Sequence, residues 1–260
     1  MTTPLLRVDV DSDRRVAVLT LNHPERRNSL SLELVEGIIA AFDDLESRDD
    51  VGAVVITGAP PAFCAGADLS QLGESREEGL RKIYEGFLRA GRSPLPTIAA
   101  VNGAAVGAGM NLALCCDIRI AARRARFDTR FLELGLHPGG GHTWMLQRAV
   151  GPSVAAALVL FGEVLDGAAA ERCGLAWRCV DDDALLETSI TIAAKAAAAP
   201  PALARRVKDT MEKVLTVDDH ETAVDVELEA QLWSMDQPDF AERLASLQQR
   251  ISAGGSAAKG

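Results

Sequence analysis

A small-residue stretch, Val101–Asp117 (VNGAAVGAGMNLALCCD), carries Gly103, Gly107 and Gly109 among alanines and no charge before Asp117. Gly66 stands in a second such loop upstream, FCAGADL. Thr97–Val101 reads as a short buried strand, and Met110–Cys116 as a buried helical segment. A strand, a turn of small residues and a helix start leave backbone N–H groups pointing outward with no side chains in the way. Donors so arranged can hold an anion, or a carbonyl oxygen as it gains negative charge. The same glycines would also let a strand pack tightly against a helix. The five cysteines are an odd number without zinc or redox spacing, and Cys115-Cys116 sit in an apolar segment. Neither a disulfide framework nor a metal site is expected.

Elements on either side must hold these loops. Leu6–Val10 and Val16–Leu21 alternate around the polar turn Asp11-Ser12-Asp13, which predicts a β-hairpin. The segment NHPERRNS, with Pro24 and Asn28-Ser29, is a loop. From Ser31, a candidate N-cap, apolar residues fall at Leu32, Val35, Ile38, Ile39, Phe42 and Leu45, the spacing of a helix with one buried face. Ala53–Thr57 is a buried strand, and Gly58-Ala59-Pro60-Pro61 turns the chain into FCAGADL. Within the charged stretch Gly73–Arg92, Leu80, Ile83, Tyr84, Phe87 and Leu88 mark one apolar helix face. That face suits either a cap on the core or one wall of a ligand tunnel. Ile118–Ala121 is a further strand, and Phe127–Leu136 leads into the loop HPGGGH at 137–142.

Helices are then expected at 144–150 and 154–161, a short one at 167–173, and a last strand at 176–180. From Asp183 the pattern is helical only, over 183–199, 201–215, 218–234 and 238–250, with a disordered tail SAAKG. The chain therefore divides into an α/β core, residues 1–200, and a helical region, residues 201–260.

Composition narrows the function. With 260 residues, 48% of them hydrophobic, the chain can bury one large core and a smaller appendage. A net charge of −10 argues against nucleic acid as a main partner, so an anionic ligand would need a local cationic patch. No apolar stretch reaches membrane-spanning length. The first residues, MTTPLLRVDVDSDRR, lack the charged start and apolar run of a signal peptide. No membrane association and a cytoplasmic location are the expectation.

FCAGADL, then PTIAAVNGAAVGAGMNLALCCDIRIA, then FLELGLHPGGGHTWMLQRAVG together resemble the crotonase superfamily, the enoyl-CoA hydratases and isomerases. The resemblance implies a spiral of ββα turns followed by helices that mediate trimer formation, often doubled to a hexamer. It implies a homotrimer or dimer of trimers, an acyl-CoA thioester as substrate, and no cofactor beyond the coenzyme A of the substrate itself. Common to the family is stabilisation of a thioester enolate by two backbone N–H groups. By motif position those donors are Ala67, from CAGAD, and Ala108, from VGAGMN. Ala65, Asp68 and Leu69 of the first motif would then lie along the substrate. Arg26 and Arg27 are the candidates for the coenzyme A phosphates, with Arg250 a weaker one.

The departure lies in the proton-transfer groups. Hydratases resembling this chain carry a glutamate two positions after the last turn glycine and a second twenty positions further. Asn111 and Phe131 stand at those positions. Neither can give or take a proton, and such a group is commonly worth ~10²–10⁴ in rate. Glycine at Gly139 likewise supplies no dienoyl-isomerase carboxylate. Asp128, Glu133, His137 and His142 flank the site of Phe131. His137 is the candidate replacement acid or base, since imidazole ordinarily titrates near neutral pH. Glu133 would point away if its segment is extended. Asn111 can offer only hydrogen bonds to the substrate or a water. Phe131 suits a bulky or aliphatic acyl group. Two functions follow: an enolate-forming enzyme (hydration, double-bond shift, decarboxylation or C–C cleavage) with unusual proton-transfer groups, or a non-catalytic acyl-CoA-binding protein.

Overall fold

The computed structural model describes residues 4–68 and 76–257, with side chains to residue 250. Its first hairpin pairs β1 (Leu6–Asp11) antiparallel with β2 (Val16–Leu21), from Leu6 opposite Leu21 to Asp11 opposite Val16. The chain crosses over through α1 (Leu32–Glu46) to β3 (Ala53–Gly58), which lies parallel to β2. Ser31 caps α1: its Oγ accepts from the Leu34 N–H at 3.2 Å, satisfying one of the donors a helix start leaves open. Val35, Ile38, Phe42 and Leu45 are buried on the inner face of α1.

From β3 onward each turn of the chain lays down two strands and a helix. The turns are β3, β4 (Ala62–Cys64) and α2 (Arg76–Gly91); β5 (Thr97–Val101), β6 (Ala104–Val106) and α3 (Ala108–Cys115); then β7 (Ile118–Ala122), β8 (Arg126–Asp128) and α4 (His142–Leu160). The long strands join a six-stranded sheet in the order β1-β2-β3-β5-β7-β10, where β10 is Arg178–Val180. The short ones form a second sheet, β4-β6-β8-β9, closed by β9 (Leu165–Asp166). Helix α5 (Gly167–Arg172) follows β9, and α6 (Leu185–Ala197) covers the outer face of the six-stranded sheet through Leu185, Ile190, Ala193 and Ala197. Both faces of that sheet are covered, which is why β2, β3 and β5 are buried without alternation. Phe42, Phe63, Phe87 and Phe127 are fully buried in the main core, each contributing roughly 1.5–3 kcal/mol.

Three expectations change. The second sheet is absent from the sequence reading, because strands of two or three residues show no usable alternation. The helices expected at 144–150 and 154–161 are two pieces of α4, broken where Gly151 takes a non-helical φ of 75° just before Pro152. Proline cannot continue the ladder of the first piece but suits the first turn of the second. The tail expected to be disordered is helical through Ala257, and its last three residues lie outside the described residues.

The chain forms two compact units, residues 1–198 and 199–260. The second consists of α7 (Pro201–Val214), α8 (His220–Met235) and α9 (Pro238–Ala257). Asp219 caps α8 through the Thr222 N–H at 2.8 Å, and Arg206 of α7 reaches Glu229 of α8 at 2.8 Å. Val207, Met211, Leu215, Val224, Leu228 and Leu232 of this unit are exposed. Among the described residues no helix is long and apolar enough to cross a membrane.

Candidate active site

Strands β4 and β6 are parallel neighbours, with Ala62 beside Ala104 and Cys64 beside Ala105. The loops leaving their C-terminal ends therefore emerge together, at the end of parallel strands where α/β folds bind ligands. The first loop is Ala65-Gly66-Ala67-Asp68. It makes a parallel bridge with Leu30: the Leu30 N–H donates to the Gly66 carbonyl at 2.8 Å, and the Asp68 N–H donates to the Leu30 carbonyl at 2.9 Å. A parallel bridge of this kind turns the N–H between those two bonds the other way. The Ala67 N–H accordingly has no protein acceptor among the described residues.

The second loop is Gly107, at a φ of 51°, followed by Ala108 as the first residue of α3. The first helical bond runs from the Asn111 N–H to the Gly107 carbonyl at 3.0 Å, so the Ala108 N–H is one of the open donors of the helix start. Gly109 allows this geometry, since a Cβ there would collide with the Cys64 carbonyl of β4. The tight strand–helix packing and the open donors thus coexist. Ala67 and Ala108 both line one cleft of about 810 Å³, part of it open to solvent.

Leu80, Ile83 and Tyr84 of α2 form one wall of the cleft, while Phe87, on the same face, is fully buried in the core. The face read from sequence as either cap or wall does both. Phe131, Leu134 and Leu136 form an apolar wall. Asn111, His137, Gly139 and Arg130 contribute the polar groups. Arg130 was not anticipated; its φ of 54°, unusual outside glycine, gave no signal in the sequence. It pairs with buried Asp128 and approaches Glu133 at 3.7 Å. Neither carboxylate lines the cleft.

Asn111 is engaged at both ends of its amide. Its Nδ2 donates to the Gly139 carbonyl at 3.0 Å, and its Oδ1 lies 2.7 Å from His142 Nδ1. The first bond fixes which amide atom faces the ring, so Nδ1 must carry the proton and donate. His142 Nε2 is then a bare lone pair, buried without a partner among the described residues. Burial alone pushes the His142 pKa down to about 4. The ring also meets Phe131 edge-on, with centroids 4.9 Å apart. His142 is thus behind the cleft wall, whereas His137 lines the cleft, its Nδ1 donating to the Pro138 carbonyl at 2.7 Å. That leaves His137 Nε2 as an acceptor.

Arg26 and Arg27 are exposed beside the first loop. Arg26 donates to Asp68 at 2.9 Å, and the Arg27 carbonyl accepts from the Ala65 N–H at 3.0 Å. The loop that carries them is fastened by Asn28, fully buried at a φ of 59°. Its Nδ2 donates to the carbonyls of Ala59 and Ala62 at 2.8 Å each, and its Oδ1 accepts from the His23 N–H at 2.9 Å. Nothing in the sequence marked Asn28 beyond its place in a turn. Leu69 lies outside the described residues, and Arg250 belongs to α9 of the second unit.

Cysteine chemistry is not on offer at the loops: burial pushes the Cys64 and Cys115 thiols up to about 12. Among the described residues no group of three or more His, Cys, Asp or Glu is placed to hold a metal ion.

The sequence model of the enoyl-CoA hydratase/isomerase family matches residues 11–249. The chain is 49% identical over 247 residues to a probable enoyl-CoA hydratase, EchA14, of Mycobacterium tuberculosis, spanning 92% of this chain and 96% of that protein. It is 34% identical over 242 residues to the 1,2-epoxyphenylacetyl-CoA isomerase of Escherichia coli, spanning 90% and 92%. An enoyl-CoA hydratase structure from Mycobacterium smegmatis superposes with a TM-score of 0.88 at 30% identity, over 95% of this chain and 97% of that one. This chain belongs to the enoyl-CoA hydratase/isomerase family of the crotonase superfamily.

Proposed function

We propose that this protein is an enzyme acting on an acyl-CoA thioester, whose enolate oxygen is held by the N–H groups of Ala67 and Ala108. One observation carries the reading: two residues whose N–H groups have no acceptor among the described residues line one cleft at the ends of adjacent parallel strands. An oxyanion-hole donor of this kind is worth about 10²–10³ in rate. Ala65 and Asp68 run along the thioester arm. Arg26 and Arg27 meet the coenzyme A phosphates, and Arg26 then divides its charge between Asp68 and phosphate. The apolar wall of Phe131, Leu134 and Leu136 suits a bulky or aliphatic acyl group.

His137 is the proton-transfer group in this reading, with Nε2 available in the cleft. The paired-glutamate hydratase route is closed, because Asn111 and Phe131 can move no proton. The reaction uses no cofactor other than the coenzyme A of its substrate. The protein works in the cytosol as a homotrimer or dimer of trimers assembled through its C-terminal helices. The exposed apolar side chains of α7 and α8 support that assembly.

A second reading, a non-catalytic acyl-CoA-binding protein, is favoured by the fully engaged amide of Asn111. Incubation with 2-enoyl- and 3-enoyl-CoA esters in D₂O, followed by mass spectrometry, separates the two. The enzyme reading expects deuterium at the α-carbon. No deuterium and no added water, with thermal stabilisation by the same esters, would leave the binding reading.

A further inference from the structure

We infer that Tyr84 is a catalytic residue, the proton donor to the acyl chain beyond the α-carbon; this rests on the acyl-CoA reading above. Tyr84 is the single tyrosine of the chain and stands half-buried in the α2 wall of the cleft. Its hydroxyl donates to no acceptor among the described residues. The loop opposite is shaped around it, because a Cβ at Gly139 would collide with the Tyr84 hydroxyl. The space a side chain at position 139 would fill is therefore taken by a phenol supplied from α2.

Both partners in this contact are held from behind. The Gly139 carbonyl accepts from Asn111, and Asn111 accepts from His142, so two bonds tie the loop to α3. The Tyr84 ring leans on Phe87, with centroids 5.6 Å apart, and Phe87 is fully buried. A group held by packing on rigid elements is positioned in advance of the reaction. Among the described residues lining the cleft, Tyr84 and His137 are the two whose side chains can exchange protons, Arg130 being a permanent cation.

The chemistry this pair supports is a double-bond shift in a 3-enoyl-CoA ester. His137 Nε2 takes a proton from the α-carbon, and the C–H electron pair moves into a dienolate whose oxygen is held by Ala67 and Ala108. The dienolate then returns its electron pair through the γ-carbon, which forms a C–H bond with the Tyr84 hydroxyl proton. The double bond now lies between the α- and β-carbons, the phenolate regains a proton from solvent, and the imidazolium releases one to it. No oxidant or reductant is consumed.

Tyr84→Phe removes the hydroxyl and keeps the ring. With a 3-enoyl-CoA ester in D₂O, the wild type is expected to place deuterium at both the α- and γ-carbons. Tyr84→Phe is expected to keep α-exchange and ester-induced thermal stabilisation while losing γ-incorporation by ~10²-fold or more. Gly139→Ala, which displaces the hydroxyl with Tyr84 intact, is expected to show the same split. γ-Incorporation by Tyr84→Phe within twofold of wild type would overturn the assignment and leave the enzyme reading standing. A wild type that takes up deuterium at neither carbon, yet is stabilised by the ester, would overturn both.

Discussion

The loops that end β4 and β6 offer the same group to the cleft, a backbone N–H, but they are held by different means. Residues 65–68 are held from outside, by Leu30 and the Arg27 carbonyl, on a loop that Asn28 fastens to the β3–β4 turn. Gly107-Ala108 is held by its own continuation into α3, with Gly109 letting the helix start lie against β4. One donor is thus placed by contacts remote in sequence and the other by local backbone geometry. Changes around residue 28 should act on the first alone, and changes at 107–108 chiefly on the second, whereas a side chain at Gly109 would press on Cys64 and reach both.

The sharpest separation comes from Ala108→Pro. Position 108 opens α3, where proline is tolerated and its missing N–H is one the helix does not use. Activity on the acyl-CoA substrate should fall by about 10²–10³, with the thermal midpoint nearly unchanged. A full-rate variant would show that this N–H is not part of the site.

The next test asks whether local geometry is the whole support of the second loop. Asn111 ties α3 to His142, whose imidazole is buried neutral with a pKa of about 4, below the usual 6.5. Between those two values the unfolded chain takes up a proton that the folded one excludes, so stability rises with pH across that window. The shift corresponds to about 3 kcal/mol lost on going from pH 7 to pH 4, measured by urea unfolding. His142→Asn, which keeps a donor near the Nδ1 position, should flatten that part of the profile. An unchanged profile would mean that His142 is not the group excluded from protonation.

The first loop has a smaller expected response. Asn28→Gly keeps the positive φ of 59° and removes the buried amide, leaving carbonyls of the β3–β4 turn without their donor. A loss of about 2–3 kcal/mol in urea unfolding is expected. A loss below about 1 kcal/mol would put the support of residues 65–68 on the Leu30 bridge alone.

The same contrast explains what could be read beforehand. The continuous apolar runs of β3 and β5 and the apolar periodicity of α1, with Ser31 as cap, carry their structure in local pattern, and the structure follows them. The second loop was legible for that reason, as a strand, glycines and a helix start. The second sheet was not, because Ala62–Cys64, Ala104–Val106 and Arg126–Asp128 are too short for a period of two to show. Family motifs pointed to Ala67, yet no local signal shows that Asn28 and Leu30 position it. Sequence spacing likewise set both His137 and His142 near Phe131 and favoured His137 without showing where either ring lies. Only the fold puts one behind Phe131 and the other in the cleft.

The open donors of Ala67 and Ala108 also have a spectroscopic meaning. Their neighbours Leu30, Asp68 and Asn111 have bonded amides, those of Leu30 and Asn111 in buried residues, and such amides are protected from hydrogen exchange until the structure opens. Ala67 and Ala108 should exchange far faster, as two isolated bright sites in a protected framework. A thioester oxygen settling between them would slow both at once and leave the framework unchanged. Two amide resonances would then report occupancy of the cleft directly, independent of any turnover.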